Sequence, residues 1–134
     1  MSKKSVLVKV LTEHYPSLIQ ATGDESSLDR EILVPEINRP GFELAGFFQH
    51  SDFRRVVVFG EKEMAFIDQM TQEEQVTRFE RLTDDLTPVI VIAKNYQCPP
   101  ILKEIADKKN FPIMLTAQTT GRFSVELSAF QIGR

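Results

Sequence analysis

Two uninterrupted apolar runs, Val56-Val-Val-Phe59 and Val89-Ile-Val-Ile-Ala93, limit what this chain can fold into more than any other feature. A strand with one wet face alternates apolar and polar residues, whereas a run without alternation suits a strand buried on both faces. Such strands lie inside a sheet with helices above and below it. Segments of helical spacing fall where that architecture needs them. Glu63–Met70 turns Met64, Ile67 and Met70 inward, and Thr71-Gln-Glu-Glu74 carries the capping-box pattern of a helix running to about Leu82. Val76, Phe79 and Leu82 form the apolar stripe of that helix. Pro99-Pro100 precede a helix with Ile101, Leu102, Ile105 and Ala106 on one face. Ile113–Leu115 is a further short strand, and a last helix starts near Thr119 or Thr120. The alternation predicts an α/β fold, a single layered domain over residues 1–134 with a mostly parallel sheet flanked by helices. Right-handed crossovers follow from strand twist.

The N-terminal third is less regular. Ser5 can cap a helix with Leu7, Val10, Leu11 and His14 on one face, ended by Pro16, and Val6-Leu-Val8 equally suits a short strand. Leu18–Ala21 and Glu31–Val34 read as short strands around the polar turn cluster Gly23-Asp24-Glu25-Ser26-Ser27. Then comes Glu36-Ile-Asn-Arg-Pro-Gly-Phe-Glu-Leu-Ala-Gly-Phe-Phe48, a well-marked helix start. Pro40 suits the first helical position, where its missing amide donor costs nothing. Glu43 places negative charge near the positive helix end. The spacing predicts a helix from about Pro40 to Gln49, with Phe42, Ala45 and Gly46 on one close-packing face.

As a string, that stretch resembles the I-x-R-P-G-x-E-[LM]-x-G-[YF]-F signature of the N-terminal domain of bacterial HPr kinase/phosphorylase. The resemblance extends through Arg55-Val-Val-Val-Phe-Gly60 with Glu63, Thr87-Pro-Val-Ile-Val-Ile-Ala93, Phe111-Pro-Ile-Met-Leu115 and Thr119-Thr120 with Phe123-Ser124, all in family order. Gly121-Arg122 adds one residue after the threonine pair, a departure from the pattern. What the resemblance implies is the non-catalytic, regulatory or assembly half of a serine kinase/phosphorylase. The parent enzyme uses ATP or pyrophosphate with Mg2+ to modify HPr, governs carbon catabolite repression and is a hexamer. Its kinase site lies in a C-terminal domain expected after Arg134, so this chain alone should be inactive. Expected partners are that kinase domain, neighbouring subunits and, through the parent, HPr. The family's N-terminal domain is itself similar to that of peptidoglycan-synthesis ligases. The alternative reading is a free-standing ligand- or protein-binding module with this fold.

Charge and composition remove other classes. With 16 Lys+Arg against 19 Asp+Glu the net charge is −3, unlike the basic footprint of a nucleic-acid binder. No apolar run approaches the roughly 18 residues a membrane helix needs. Val6–Leu11 is broken by Lys9 and lacks a small-residue cleavage site after it, so no signal peptide is predicted. The single cysteine, Cys98, excludes an internal disulfide framework and fits a reducing, cytoplasmic setting.

The chemistry-bearing residues are sparse. Neither G-x-x-x-x-G-K-[ST] nor G-x-G-x-x-G occurs in the 134 residues. Gly60-Glu-Lys62 joins a strand to a helix, but one glycine does not make the nest of amides that cradles phosphates. His14 and His50 have no ligand partners at metal spacing, Cys98 has no basic neighbour to activate it, and Glu73-Glu74 and Asp84-Asp85 read as solvated faces. No catalytic, cofactor-binding or metal-ligating residue is therefore predicted. Arg54-Arg55 and Lys108-Lys109 read as exposed charge, with contact to a partner the alternative for Arg54-Arg55, which stand just before a strand. Asn38-Arg39 stand apart, because a cation before a helix start opposes the dipole and calls for a partner. Arg39 either pairs with Glu36 or Glu43, or with Asn38 contacts an anion or a partner protein. Pro40, Gly41, Glu43, Gly46 and Gly60 are taken as structural residues of the signature.

Overall fold

The computed structural model describes residues 6–33, 36–49 and 52–132. Its centre is a five-stranded sheet in which strands β4 (Ile37–Asn38), β5 (Val56–Phe59), β6 (Ile90–Ile92) and β7 (Ile113–Leu115) are parallel and lie side by side in chain order. Strand β2 (Ile19–Thr22) pairs antiparallel with β7 and forms the far edge. The α/β fold with a mostly parallel sheet agrees with the expectation from the sequence.

Side chains of the central strands alternate strictly between two cores. Val57, Phe59, Ile90, Ile92 and Ile113 face one core, whereas Val56, Val58, Val89, Val91 and Met114 face the other. The first core is closed by helices α2 (Gly41–Leu44), α3 (Glu61–Asp68), α4 (Gln72–Leu82) and α5 (Pro100–Lys109), through Leu44, Ile67, Phe79, Leu82, Leu102, Ile105 and Ala106. All four helices share this face because the strands step in one direction, so connections of one hand return on one side. The second core is closed by both ends of the described chain. Helix α1 (Val8–His14) supplies Val8 and Leu11, and helix α6 (Thr120–Ile132) supplies Phe123 and Leu127. The Tyr15 hydroxyl ties them by donating to the Glu126 carbonyl at 2.6 Å.

The N-terminal segment holds both alternatives in succession. Strand β1 (Val6–Leu7) leads directly into α1, and β1 pairs antiparallel with β3 (Glu31–Ile32) as a small separate ribbon. The two short strands around the polar turn cluster therefore do not pair with each other. The cluster folds into a single 3-10 turn, Glu25–Asp29, started by Asp24, whose carboxylate accepts from Ser26 N–H at 2.9 Å. Ser5 and Val34 lie outside the described residues. The capping box at Thr71 is formed reciprocally, with Glu74 N–H donating to Thr71 Oγ1 at 3.1 Å and Thr71 N–H to Glu74 Oε1 at 3.0 Å. Val76, expected in that helix's apolar stripe, is exposed instead, while Phe79 and Leu82 are buried.

The helix expected from Pro40 to Gln49 is only one turn long. Pro40 is the residue before the first helical position, and the helix ends at Leu44. Gly46 stops it, having φ of +96°, a left-handed conformation that a glycine adopts without penalty. Phe47 N–H donates to Phe42 O at 2.9 Å and Gly46 N–H to Glu43 O at 3.0 Å, the paired bonds of a Schellman stop. Gly46 is thus a terminator, and Phe42, assigned to a packing face by its spacing, is 77% exposed.

Candidate functional site

Four residues of the resemblance, Arg39, Gly60, Glu63 and Thr120, converge at the carboxyl end of β4 and β5. Arg39 follows β4, Gly60 follows β5, Glu63 lies in the first turn of α3, and Thr120 opens α6. The Glu63 carboxylate reaches back to accept from Gly60 N–H at 2.7 Å. The same oxygen accepts from Arg39 Nη2 at 2.9 Å. Arg39 therefore pairs with Glu63, not with Glu36 or Glu43. Glu36 instead lies 3.1 Å from the Arg55 guanidinium. The pairing resolves the dipole conflict, since the guanidinium points across to a neighbouring helix whose amino end already favours an acid. Glu63 is buried and Arg39 is 40% exposed on its side chain, so the pair spans the boundary between core and solvent.

Gly60 is required here for room. A Cβ at this position would lie 2.9 Å from Arg39 Nη2, 3.3 Å from Glu63 Oε1, and in direct collision with Thr120 Oγ1. This strand-to-helix turn is the place where an α/β fold would cradle a phosphate. Here it is filled by protein: a carboxylate occupies the amide, and Glu61 beside it pairs with Lys94 at 3.0 Å. A phosphate at this turn would have to displace the Glu63 carboxylate from both the Gly60 amide and Arg39.

Of the remaining signature residues, Glu43 and Leu44 are buried beneath α2, and Gly41 has open space around it. Asn38 sits in β4 opposite Val57, half-buried. The structure does not gather Asn38, Gly41 and Gly46 with Arg39 into one cluster. It leaves a shallow hollow of about 310 Å³ between Gly41, Leu44, Lys62, Glu63 and Phe66. Phe47 beyond it is 67% exposed.

The other candidates are engaged in ordinary ways. His14 stacks edge-on against Tyr15 with ring centres 4.7 Å apart. His50 lies outside the described residues. Burial pushes the Cys98 thiol up to about 12, which leaves it protonated and unreactive at neutral pH. Asp84 caps its own turn by accepting from Leu86 N–H at 2.9 Å, and Glu74 serves its capping box. Arg54 is paired with Asp52, whose carboxyl it holds down at about 2 through hydrogen bonds. Lys109 donates to Thr83 Oγ1 at 2.9 Å and lies 3.1 Å from Glu80. Among the described residues, no group of three or more His, Cys, Asp or Glu side chains could hold a metal ion. Among them also, no helix is long and apolar enough to cross a membrane.

One feature escaped the sequence reading. Lys94 and Asn95, which follow β6 after Ala93, have φ of 59° and 61°, two successive non-glycine residues in the left-handed region. Asn-Tyr-Gln after an apolar strand was the available signal, because asparagine tolerates that conformation better than most residues.

A family model described as HPr Serine kinase N terminus matches residues 6–130. A protein named HPr kinase/phosphorylase from Listeria innocua is 34% identical over 127 residues, which cover 95% of this chain and 40% of that protein. Its namesake from Bacillus velezensis is 30% identical over 112 residues, 84% of this chain and 36% of that protein. The chain thus spans well under half the length of these relatives. Among solved structures, the fold is similar to the CBS and DRTGG domains of the regulatory region of Clostridium perfringens pyrophosphatase, solved with its activator diadenosine tetraphosphate. The TM-score is 0.56 at 11% identity, over 84% of this chain and 42% of that one. At that identity the likeness is one of fold alone.

Proposed function

The chain belongs to the HPr serine kinase N-terminal family, and from that premise we propose that it is the non-catalytic, regulatory or assembly half of an HPr serine kinase/phosphorylase that controls carbon catabolite repression. In this reading phosphoryl transfer to HPr, with ATP or pyrophosphate and Mg2+, belongs to a C-terminal kinase domain. The present domain contacts that domain and the neighbouring subunits of a cytoplasmic hexamer. The carrying observation is the pair Phe42 and Phe47, 77% and 67% exposed on a turn that the Schellman stop holds rigid. Large aromatic side chains held outward on a fixed frame suit a protein contact, where burying them is favourable and little entropy is lost. The filled turn at Gly60 and the lack of any phosphate loop support a role without chemistry of its own.

Two measurements test this. Incubated with ATP, Mg2+ and HPr, the chain should form no serine phosphate above a no-protein control, and clear transfer would overturn the reading. In a protein carrying this domain joined to its kinase half, Phe42→Ser with Phe47→Ser should shift the mass in sedimentation toward smaller assemblies or change the regulation of the kinase. The isolated domain's urea midpoint should stay put. An unchanged assembly with unchanged regulation would remove the contact.

A further inference from the structure

Neighbouring strands β6 and β7 send their chains to opposite faces of the sheet. The segment after β6 enters α5, whose Leu102, Ile105 and Ala106 pack in one core, and the segment after β7 enters α6, whose Phe123 and Leu127 pack in the other. Where adjacent parallel strands part in this way, a crevice opens at their carboxyl ends, and ligands of α/β folds bind in such crevices. Here it measures about 340 Å³, at the lower end of the range for small-molecule sites.

Its walls are built and held. Lys94 N–H donates to Gln118 O at 2.9 Å, Asn95 N–H to Thr116 O at 3.0 Å, and Thr116 N–H to Ile92 O at 3.0 Å, so the two loops are stitched to each other and to the sheet. These bonds keep Lys94 and Asn95 in the left-handed region, a conformation that persists only where surrounding structure enforces it and that clusters at ligand clamps.

The lining is uncharged. It presents the carboxamides of Asn95 and Gln97, the phenol of Tyr96, the hydroxyl of Ser17, and aliphatic surface from Ile19 and Leu115. Ser17, Asn95 and Gln97 are exposed at the mouth of the crevice and Tyr96 is half-buried, so their donors and acceptors are open to whatever enters from solvent. The nearby cations are engaged elsewhere, Lys94 with Glu61 at 3.0 Å and Arg122 with Glu126 at 2.8 Å. A phosphate would find no free positive charge here. Carboxamides pair two-fold with the donor–acceptor edges of heterocyclic bases, and the half-buried Tyr96 ring, packed against the first core, presents its remaining surface for stacking. We propose that the crevice between β6 and β7 is a binding site for an uncharged nucleobase-class ligand, a nucleoside or free base, read by Asn95 and Gln97 against Tyr96.

Titrating the chain with adenosine, guanosine, cytidine and uridine in turn, by ligand-observed NMR and calorimetry, tests this. At least one should bind, and Asn95→Gly and Gln97→Ala should each weaken it about tenfold, the effect of one or two well-made hydrogen bonds. Glycine adopts the φ of Asn95 freely, so Asn95→Gly removes the carboxamide while the loop keeps its path, which an undiminished urea midpoint verifies. The proposal falls if none of the four binds at concentrations up to its solubility, or if both variants bind as the parent does. Tighter binding of the 5′-monophosphate than of its nucleoside would overturn the assignment to an uncharged ligand.

Discussion

At the corner around Gly60, the Glu63 carboxylate is saturated by the Gly60 amide and the Arg39 guanidinium, and the nearby Lys94 and Glu61 neutralise each other. At the crevice between β6 and β7, carboxamides and hydroxyls face open space with no protein partner among the described residues. Both regions lie at the carboxyl end of the same sheet. The first contains the residues that look most like a site in the sequence, and it is a structural joint. The second contains residues that look like loop filler. Charge draws the eye in a sequence, but a charge already matched by protein has little left for a ligand. An exposed neutral donor, paired only with solvent, has more.

If that contrast holds, substitutions at structural joints, the corner and the Gly46 stop alike, should cost stability and substitutions in the crevice should not. Glu63→Ala should have the largest effect, lowering stability by about 2–3 kcal/mol, because the buried Gly60 amide then has no acceptor and the guanidinium loses its partner. Urea unfolding measures it, and a loss below about 0.5 kcal/mol would mean that the joint is not structural. Gly46→Ala should cost about 1–2 kcal/mol, since any side chain there is strained at φ of +96° and its Cβ would press on Arg78 Nη2 at 3.0 Å. A neutral result in thermal unfolding would show that the helix can stop elsewhere. Asn95→Gly, in the crevice, should have the smallest effect, within about 0.5 kcal/mol. Relief of the left-handed asparagine is offset by the greater freedom of the unfolded chain, and the exposed carboxamide has no protein partner to lose. A drop beyond about 1 kcal/mol would erase the distinction between the two regions.

The central strands were legible because their determinants are local, whereas the two-residue edge strand β4 carries no apolar run. Val56–Phe59 and Val89–Ala93 announce strands buried on two faces, and the Thr71–Glu74 box announces a helix, each within a few residues. The length of α2 was not legible from periodicity, since Phe42, Ala45 and Gly46 satisfy helical spacing although the backbone has turned at Gly46. Arg39 misled in another way. Its partner, Glu63, is 24 residues distant, and local spacing offered only Glu36 and Glu43. The crevice was the least legible feature. It exists because α5 and α6 take opposite faces, and that choice depends on what the rest of the chain leaves uncovered.

The division of labour between the two cores also bears on how the domain comes off the ribosome. The face closed by α2 to α5 draws all of its helices from the segments between consecutive parallel strands, so each can dock as its strand emerges. The opposite face receives α1 at once and then waits for Phe123 and Leu127 of α6. Until residues 120–132 have cleared the exit tunnel, Val58, Val91 and Met114 stand incompletely covered on the nascent chain. The second core is therefore the later of the two to be completed, and α6 is the segment whose arrival completes it.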